Sequence, residues 1–336
     1  MKAIICQQFG PPDQLLLTDV PSPKAGKGQV VIRVEACGVN FPDTLIIEGK
    51  YQFKPSLPFS PGGEVSGTII EVGESVSHLH VGDRVFSLTV HGGFAEEVVA
   101  NAATTLLMPD GRTSDGSMDY VTAASTMYTY GTSYHALKDR ANLQPGETLL
   151  VMGAAGGVGL AAVQLGVLMG ARVIAAASSD EKLTVCRAIG ATETINYTTE
   201  NLRDRLKDLT GGNGVDVAYD PVGDRYAEPA VRSLAWKGRY LVVGFAAGEI
   251  PSIPLNLALL KGASIVGVFW GAFAQREPET SRQNFAQILN WIAAGQLKQH
   301  IHKLYSLAEA PNALRDLMER RVIGKAVVVM KMNNEQ

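Results

Sequence analysis

Between residues 149 and 171 the chain carries no charge. Leu149, Leu150, Val151 and Met152 lead into Gly153, a turn Ala154-Ala155-Gly156-Gly157-Val158-Gly159 follows, and an apolar run resumes through Leu160, Val163, Leu165 and Leu168. That order predicts a buried parallel strand, a tight turn and a helix. Arg172-Val173-Ile174-Ala175-Ala176 predicts a second strand and completes a βαβ unit. A membrane span is the competing reading, with Gly153 and Gly157 in GxxxG spacing. The glycines crowded into the first half and the strand-like start argue against it.

Upstream, short apolar runs alternate with proline and glycine. Residues 3–5, 15–17, 30–34, 65–73, 81–86 and 92–99 predict strands, and residues 37–43 open a loop or helix start. Many short strands at regular spacing predict a β-rich, barrel-like first domain. Past Met118 the pattern changes. Helices are predicted over 123–137, 180–189, 202–209, 226–235, 280–294 and 307–320, and strands over 195–197, 215–220, 239–244, 264–269 and 326–330. Alternating strands and helices predict a doubly wound parallel sheet.

Composition narrows the class. With 336 residues there is room for two domains with real cores. A charged fraction of 19% and a net charge of −3 suggest neither a nucleic-acid groove nor an anionic membrane surface. Cys6, Cys37 and Cys186 are too few and too scattered for a disulfide framework or a zinc cluster. With no apolar leader after Met1, a cytoplasmic protein is expected.

The glycine turn matches a dinucleotide fingerprint except at its first position, where Ala154 stands. Gly156 would let the backbone approach a pyrophosphate at the helix N-terminus, and Gly159 would let the helix pack closely. A plain turn between two core elements is the alternative. About 20 residues on, an NAD site wants an acidic residue for the ribose hydroxyls. Here Ala177-Ser178-Ser179 and then Lys182 occupy that place, which suits the 2′-phosphate of NADPH. Ser178-Ser179-Asp180-Glu181 also reads as a helix cap; one serine can cap while the other meets phosphate.

Several further stretches carry a resemblance over nearly the whole chain. They are Gly38-Val39-Asn40-Phe41-Pro42-Asp43, Pro61-Gly62-Gly63-Glu64-Val65-Ser66-Gly67, Val81-Gly82-Asp83-Arg84-Val85 and Gly211-Gly212-Asn213-Gly214-Val215-Asp216, together with the glycine turn. The sequence resembles the zinc-independent medium-chain dehydrogenases/reductases, nearest the zeta-crystallin-like NADPH:quinone oxidoreductases. The resemblance implies an α/β protein with a GroES-like β-rich catalytic domain, residues 1–124 with 274–336, and a Rossmann domain, residues 125–273. It places the cofactor in the cleft between them.

By the same resemblance the zinc ligand positions of the metal-dependent relatives correspond to Asn40, Gly63 and Tyr128, none of which replaces a ligand. Cys37 reads as a small core residue. No metal is expected. The resemblance puts Asn40, Thr132, Gly244, Phe245, Phe269, Trp270 and Lys325 near the nicotinamide, Ala155, Gly156, Gly157 and Val158 at the pyrophosphate, and Lys182 and Tyr197 at the adenosine-phosphate end. Tyr51 corresponds to an active-site tyrosine, and Tyr51, Asn40 and Thr132 are the candidate catalytic side chains. Trp270 could instead be pure core and Lys325 a solvated strand start. The expected function is NADPH-dependent hydride transfer to a quinone. Reduction of an activated C=C bond, or a binding protein with a vestigial cofactor site, are the alternatives. The apolar, nearly uncharged 264–270 predicts a sheet edge that pairs with a second copy in a homodimer.

Overall fold

The computed structural model describes residues 1–109 and 118–331. The chain forms two compact units, one of Met1–Tyr128 with Gln299–Gln336 and one of Thr129–Lys298.

The first unit is built on a seven-stranded sheet. Gln29–Gly38 lies at its centre, pairing antiparallel with Glu64–Val72, Glu97–Asn101 and Lys325–Val329. The sheet continues on one side through Arg84–Leu88 to Thr105–Leu107 and on the other to Ile301–Ser306. A hairpin of Lys2–Ile5 and Leu16–Asp19 accompanies it. Alternation in these strands turns Val30, Ile32, Ile69, Val85 and Val98 into one buried core. The strand Ile301–Ser306 is not among those the pattern predicts. Its His302 and Lys303 are exposed and hide a pattern that only Tyr305 buries. It runs parallel to Lys325–Val329, with the helix Ala310–Met318 making the crossover.

The second unit holds a six-stranded, all-parallel sheet. Its spatial order is Glu193–Asn196, Arg172–Ala177, Thr148–Met152, Val215–Asp220, Leu234–Val242, Ser264–Gly267. Taken in chain order within the sheet this is 3-2-1-4-5-6, the Rossmann arrangement. The uncharged stretch is strand Thr148–Met152 plus helix Gly157–Leu168, and it is apolar on all sides because eight of that helix's residues are buried. Among the described residues no helix is long and apolar enough to cross a membrane.

Three departures have local causes. The helix expected over 226–235 ends at Arg232, because Leu234 is buried and pairs with Val215. The chain then bulges, with Lys237 at φ 62°, before pairing resumes at Val217 and Arg239. The helix expected over 123–137 is segmented, with wide π-type turns at Met127–Gly131 and His135–Arg140. Residues 274–298, expected with the first domain, belong to the second unit. In the helix Pro278–Ala293, Phe285 packs on Trp270, and Asn284 accepts from Lys138 Nζ (2.6 Å) and donates to Asp139 (2.8 Å).

Candidate active site

In the second unit the turn is shaped by its own packing on one side only. Gly153 takes φ 56°, and a Cβ on Gly159 would stand 2.3 Å from the Gly153 carbonyl oxygen. Only glycine therefore lets the helix meet the turn. A Cβ on Gly156 would meet nothing nearer than that same oxygen at 3.4 Å. The protein's own packing does not demand a glycine there, and the bare backbone of Ala155, Gly156, Gly157 and Val158 opens the helix N-terminus. First-turn N–H groups have no intrahelical acceptor and favour an anion. This turn fits a pyrophosphate.

At the end of the neighbouring strand Arg172–Ala177 the two serines divide their work. Ser179 caps the helix Asp180–Ala188, its Oγ accepting from the Lys182 N–H at 3.4 Å. Ser178 Oγ accepts from Lys182 Nζ at 3.1 Å. The ammonium is thus held beside a hydroxyl, a donor pair suited to a phosphate. Tyr197 is half-buried and packs on Tyr226, with centroids 4.5 Å apart. Both rings line a surface groove of about 800 Å³ together with Arg203 and Arg225.

Thr132 is half-buried and precedes Ser133, whose hydroxyl donates to the Val158 carbonyl at 2.8 Å and lies 2.9 Å from Tyr219 Oη. The Thr132 backbone is therefore tied to the helix that follows the glycine turn. Gly244 lies open beside Pro221, and Phe245 packs against Gly223. Phe269 and Trp270 separate: Phe269 is exposed, while Trp270 is buried against Gly131 and Phe285. Trp270 is a core residue of its unit.

In the first unit the centre is Glu64, a residue the sequence did not single out. Glu64 is fully buried and accepts from three groups: the Tyr128 N–H (3.1 Å), Asn40 Nδ2 (2.9 Å) and Lys325 Nζ (3.3 Å). Lys325 is 4% exposed, so the reading of a solvated strand start is corrected. Its ammonium also donates to the Val39 carbonyl (3.1 Å) and Asn40 Oδ1 (2.7 Å). The available signal is the charge itself, since a glutamate and a lysine that each open an apolar strand need a partner. Asn40 is held at both ends of its amide: Nδ2 also donates to the Gly38 carbonyl at 3.2 Å. Its amide hydrogens are committed to the protein, and it acts as a strut for neighbouring groups.

Asp43 is buried and accepts from the Asn40 N–H at 2.7 Å. Burial pushes its carboxyl up to about 7, against the opposing pull of that N–H and of Lys325. Tyr51 is half-buried; burial and then the Asp43 charge raise its phenol, so it keeps its proton at neutral pH. Burial drives Tyr128 well above the usual phenol range and Cys37 well above the usual thiol range. Cys37 is an unreactive thiol wedged beside Gly62 and Gly93. A Cβ on Gly63 would stand 2.9 Å from the Val90 carbonyl and 3.3 Å from Tyr128 Oη. Tyr128 therefore fills the space that a side chain at Gly63 would take. Among the described residues no three His, Cys, Asp or Glu side chains gather so as to hold a metal ion.

Comparison with known proteins agrees with this geometry. The family profile for the alcohol dehydrogenase GroES-like domain matches residues 26–110, and that for zinc-binding dehydrogenase matches residues 157–294. A quinone oxidoreductase-like protein 2 homolog of Nematostella vectensis is 41% identical over 334 residues, 98% of this chain and 89% of that protein. The structure of the Thermus thermophilus quinone oxidoreductase, also solved with NADPH, superposes with a TM-score of 0.82 at 34% identity, covering 98% of this chain and 100% of that one. The Escherichia coli quinone oxidoreductase complexed with NADPH superposes with a TM-score of 0.90 at 27% identity, covering 98% and 100%. The fold and the buried polar cluster define a two-unit dehydrogenase/reductase. The chain belongs to the zinc-independent, quinone oxidoreductase-like branch of the medium-chain dehydrogenases/reductases.

Proposed function

We propose that this enzyme uses NADPH to reduce a quinone. The observation that carries the cofactor choice is the Lys182 ammonium beside the Ser178 hydroxyl at the end of the second Rossmann strand, where positions 177–179 offer no acidic side chain to a ribose. The quinone rests on the relatives, whose names give that acceptor. The open turn at 155–158 holds the pyrophosphate, Tyr197 and Lys182 the adenosine-phosphate end, and Gly244 and Phe245 flank the nicotinamide.

Bound NADPH supplies a hydride, two electrons with one proton. A quinone becomes a hydroquinone by taking that hydride and one further proton. That proton comes from solvent or from a weak donor such as Tyr51, whose surroundings keep it protonated and able to hydrogen-bond the acceptor oxygen. Asn40, pinned between Lys325 and Glu64, keeps the backbone before Tyr51 in register. A quinone needs no Lewis acid, so alignment carries most of the rate.

The test compares NADPH oxidation with quinones and with enals in wild type and Tyr51→Phe, under conditions where hydride transfer limits. The variant loses roughly tenfold or less on quinones, below what a required general acid supplies. A loss beyond about a hundredfold on quinones would make Tyr51 an essential acid. Efficient enal reduction that collapses in the variant would move the assignment to C=C reduction, where an enolate oxygen must be stabilised.

A further inference from the structure

At the end of the strand Val215–Asp220 a carboxylate lies inside the second unit. Asp220 is 1% exposed, and three donors meet it: the Tyr240 phenol on Oδ2 (2.5 Å) and the N–H groups of Val222 and Gly223 on Oδ1 (2.7 and 3.0 Å). An ionised carboxylate only accepts, so the set is matched. Tyr240 is itself buried, on the neighbouring strand Leu234–Val242. Burial and then the Asp220 charge raise its phenol, so it keeps the proton it donates. A carboxylate sealed in this way is costly to leave with a missing partner.

The carboxylate shapes the turn Pro221-Val222-Gly223, since it accepts from N–H groups two and three positions on. The segment that carries Gly244 and Phe245 is laid along this turn. Val243 N–H donates to the Asp220 carbonyl (3.0 Å), Ala246 N–H to the Pro221 carbonyl (3.0 Å) and Ala247 N–H to the Val222 carbonyl (3.0 Å). Gly223 takes φ 71°, and a Cβ on it would stand 2.9 Å from the Phe245 ring. On its other side the turn meets the glycine turn, where a Cβ on Gly153 would stand 2.8 Å from a Val222 methyl. Tyr240, four positions before Gly244, ties the strand that delivers the segment to the same carboxylate.

We propose that Asp220 and Tyr240 are positioning residues for the nicotinamide half of the cofactor, their hydrogen bond fixing where Gly244 and Phe245 stand against the ring. The pair rests on the placement of Gly244 and Phe245 beside the nicotinamide, and adds to it two buried side chains that act through that segment. The adenosine half lies on other elements, at Ser178, Lys182 and Tyr197, and does not depend on the pair.

Titration with NADPH and with 2′,5′-ADP, which lacks the nicotinamide half, tests it in wild type and Tyr240→Phe. The fluorescence of the bound dihydronicotinamide is read alongside. Deleting the hydroxyl while keeping the ring weakens NADPH binding roughly three- to tenfold, the scale of one hydrogen bond. The bound fluorescence moves toward that of free cofactor, and 2′,5′-ADP binds as in wild type. Gly223→Ala makes the same comparison from the other side, since its methyl pushes on the Phe245 ring, and it serves if Tyr240→Phe does not fold. Equal weakening of both ligands, or no weakening of NADPH, overturns the inference. Phe245→Ala tests the placement beneath it. If that variant loses NADPH affinity and the fluorescence signature while Tyr240→Phe keeps both, the inference alone fails. If Phe245→Ala keeps both as well, Phe245 does not flank the nicotinamide, and the inference falls with that placement.

Discussion

Lys325 Nζ lies 2.7 Å from Asn40 Oδ1 and 3.3 Å from Glu64 Oε2, an ammonium sealed inside the first unit. Removing one partner of such a pair strands the other charge in a medium that cannot solvate it. Lys325→Met should therefore lose roughly 3–5 kcal/mol of stability. The double variant Lys325→Met/Glu64→Gln should recover more than half of that. Urea denaturation decides the matter; a double variant as weak as the single one would show that the ammonium acts through packing alone.

Two glycines in one turn should fail in different ways. Gly159→Ala forces a methyl against the Gly153 carbonyl, so the variant should melt lower and bind NADPH poorly. Gly156→Ala meets only an ordinary contact, so its melting temperature should stay within about 1 °C, a shift of less than ~1 kcal/mol at this size. Its NADPH affinity should still fall, because the methyl intrudes where the pyrophosphate approaches. Calorimetric melting and titration with NADPH separate the two; full affinity in Gly156→Ala would refute this use of the turn.

Cofactor preference should sit on Lys182. Loss of a charge-assisted hydrogen bond costs about 1.5–3 kcal/mol. Lys182→Ala should then raise KM for NADPH while leaving KM for NADH nearly unchanged. Retention of the full preference would shift the role to Ser178 or Tyr197.

Asp43 should leave a trace in the pH dependence of stability. Its carboxyl stands near 7 in the folded protein and near 3.9 when unfolded. Between about 4 and 7 the folded chain holds the extra proton, so stability from this group falls as pH rises through that window. Above 7 the penalty is complete. Relative to Asp43→Asn, wild type should lose about 2 kcal/mol between pH 5 and pH 7.5. Parallel stability curves for the two proteins would exclude this proton.

Ser264–Gly267 is the last strand of the parallel sheet, and Ile265 on it is 40% exposed. Leu255, Leu259 and Leu260 nearby in sequence are each at least 70% exposed, as is Trp236. We expect this edge to pair with a second copy, so light scattering should report a dimer at micromolar concentration and a monomer for Leu259→Glu/Ile265→Lys. A wild-type monomer would disprove it.

Where residues answer to a local rule, the sequence is readable. The strand–turn–helix at 148–168 and the serine cap at Ser179 follow from glycine geometry and capping chemistry, which act over a few positions. What escapes such a reading depends on distant partners. Nothing local to Gly324-Lys325-Ala326 says that the ammonium meets Glu64, 261 positions away. Trp270 and Phe269 are adjacent aromatics with opposite fates, settled by the space at Gly131. The strand Ile301–Ser306 stays hidden because its charged side chains face outward.

Tyr128 and Gly63 share one volume of the first unit. A side chain at 63 would press on the Val90 carbonyl and on the Tyr128 hydroxyl, the first a backbone atom with little freedom to yield. A larger residue at 63 therefore calls for a smaller one at 128, and the two positions are expected to vary as a pair.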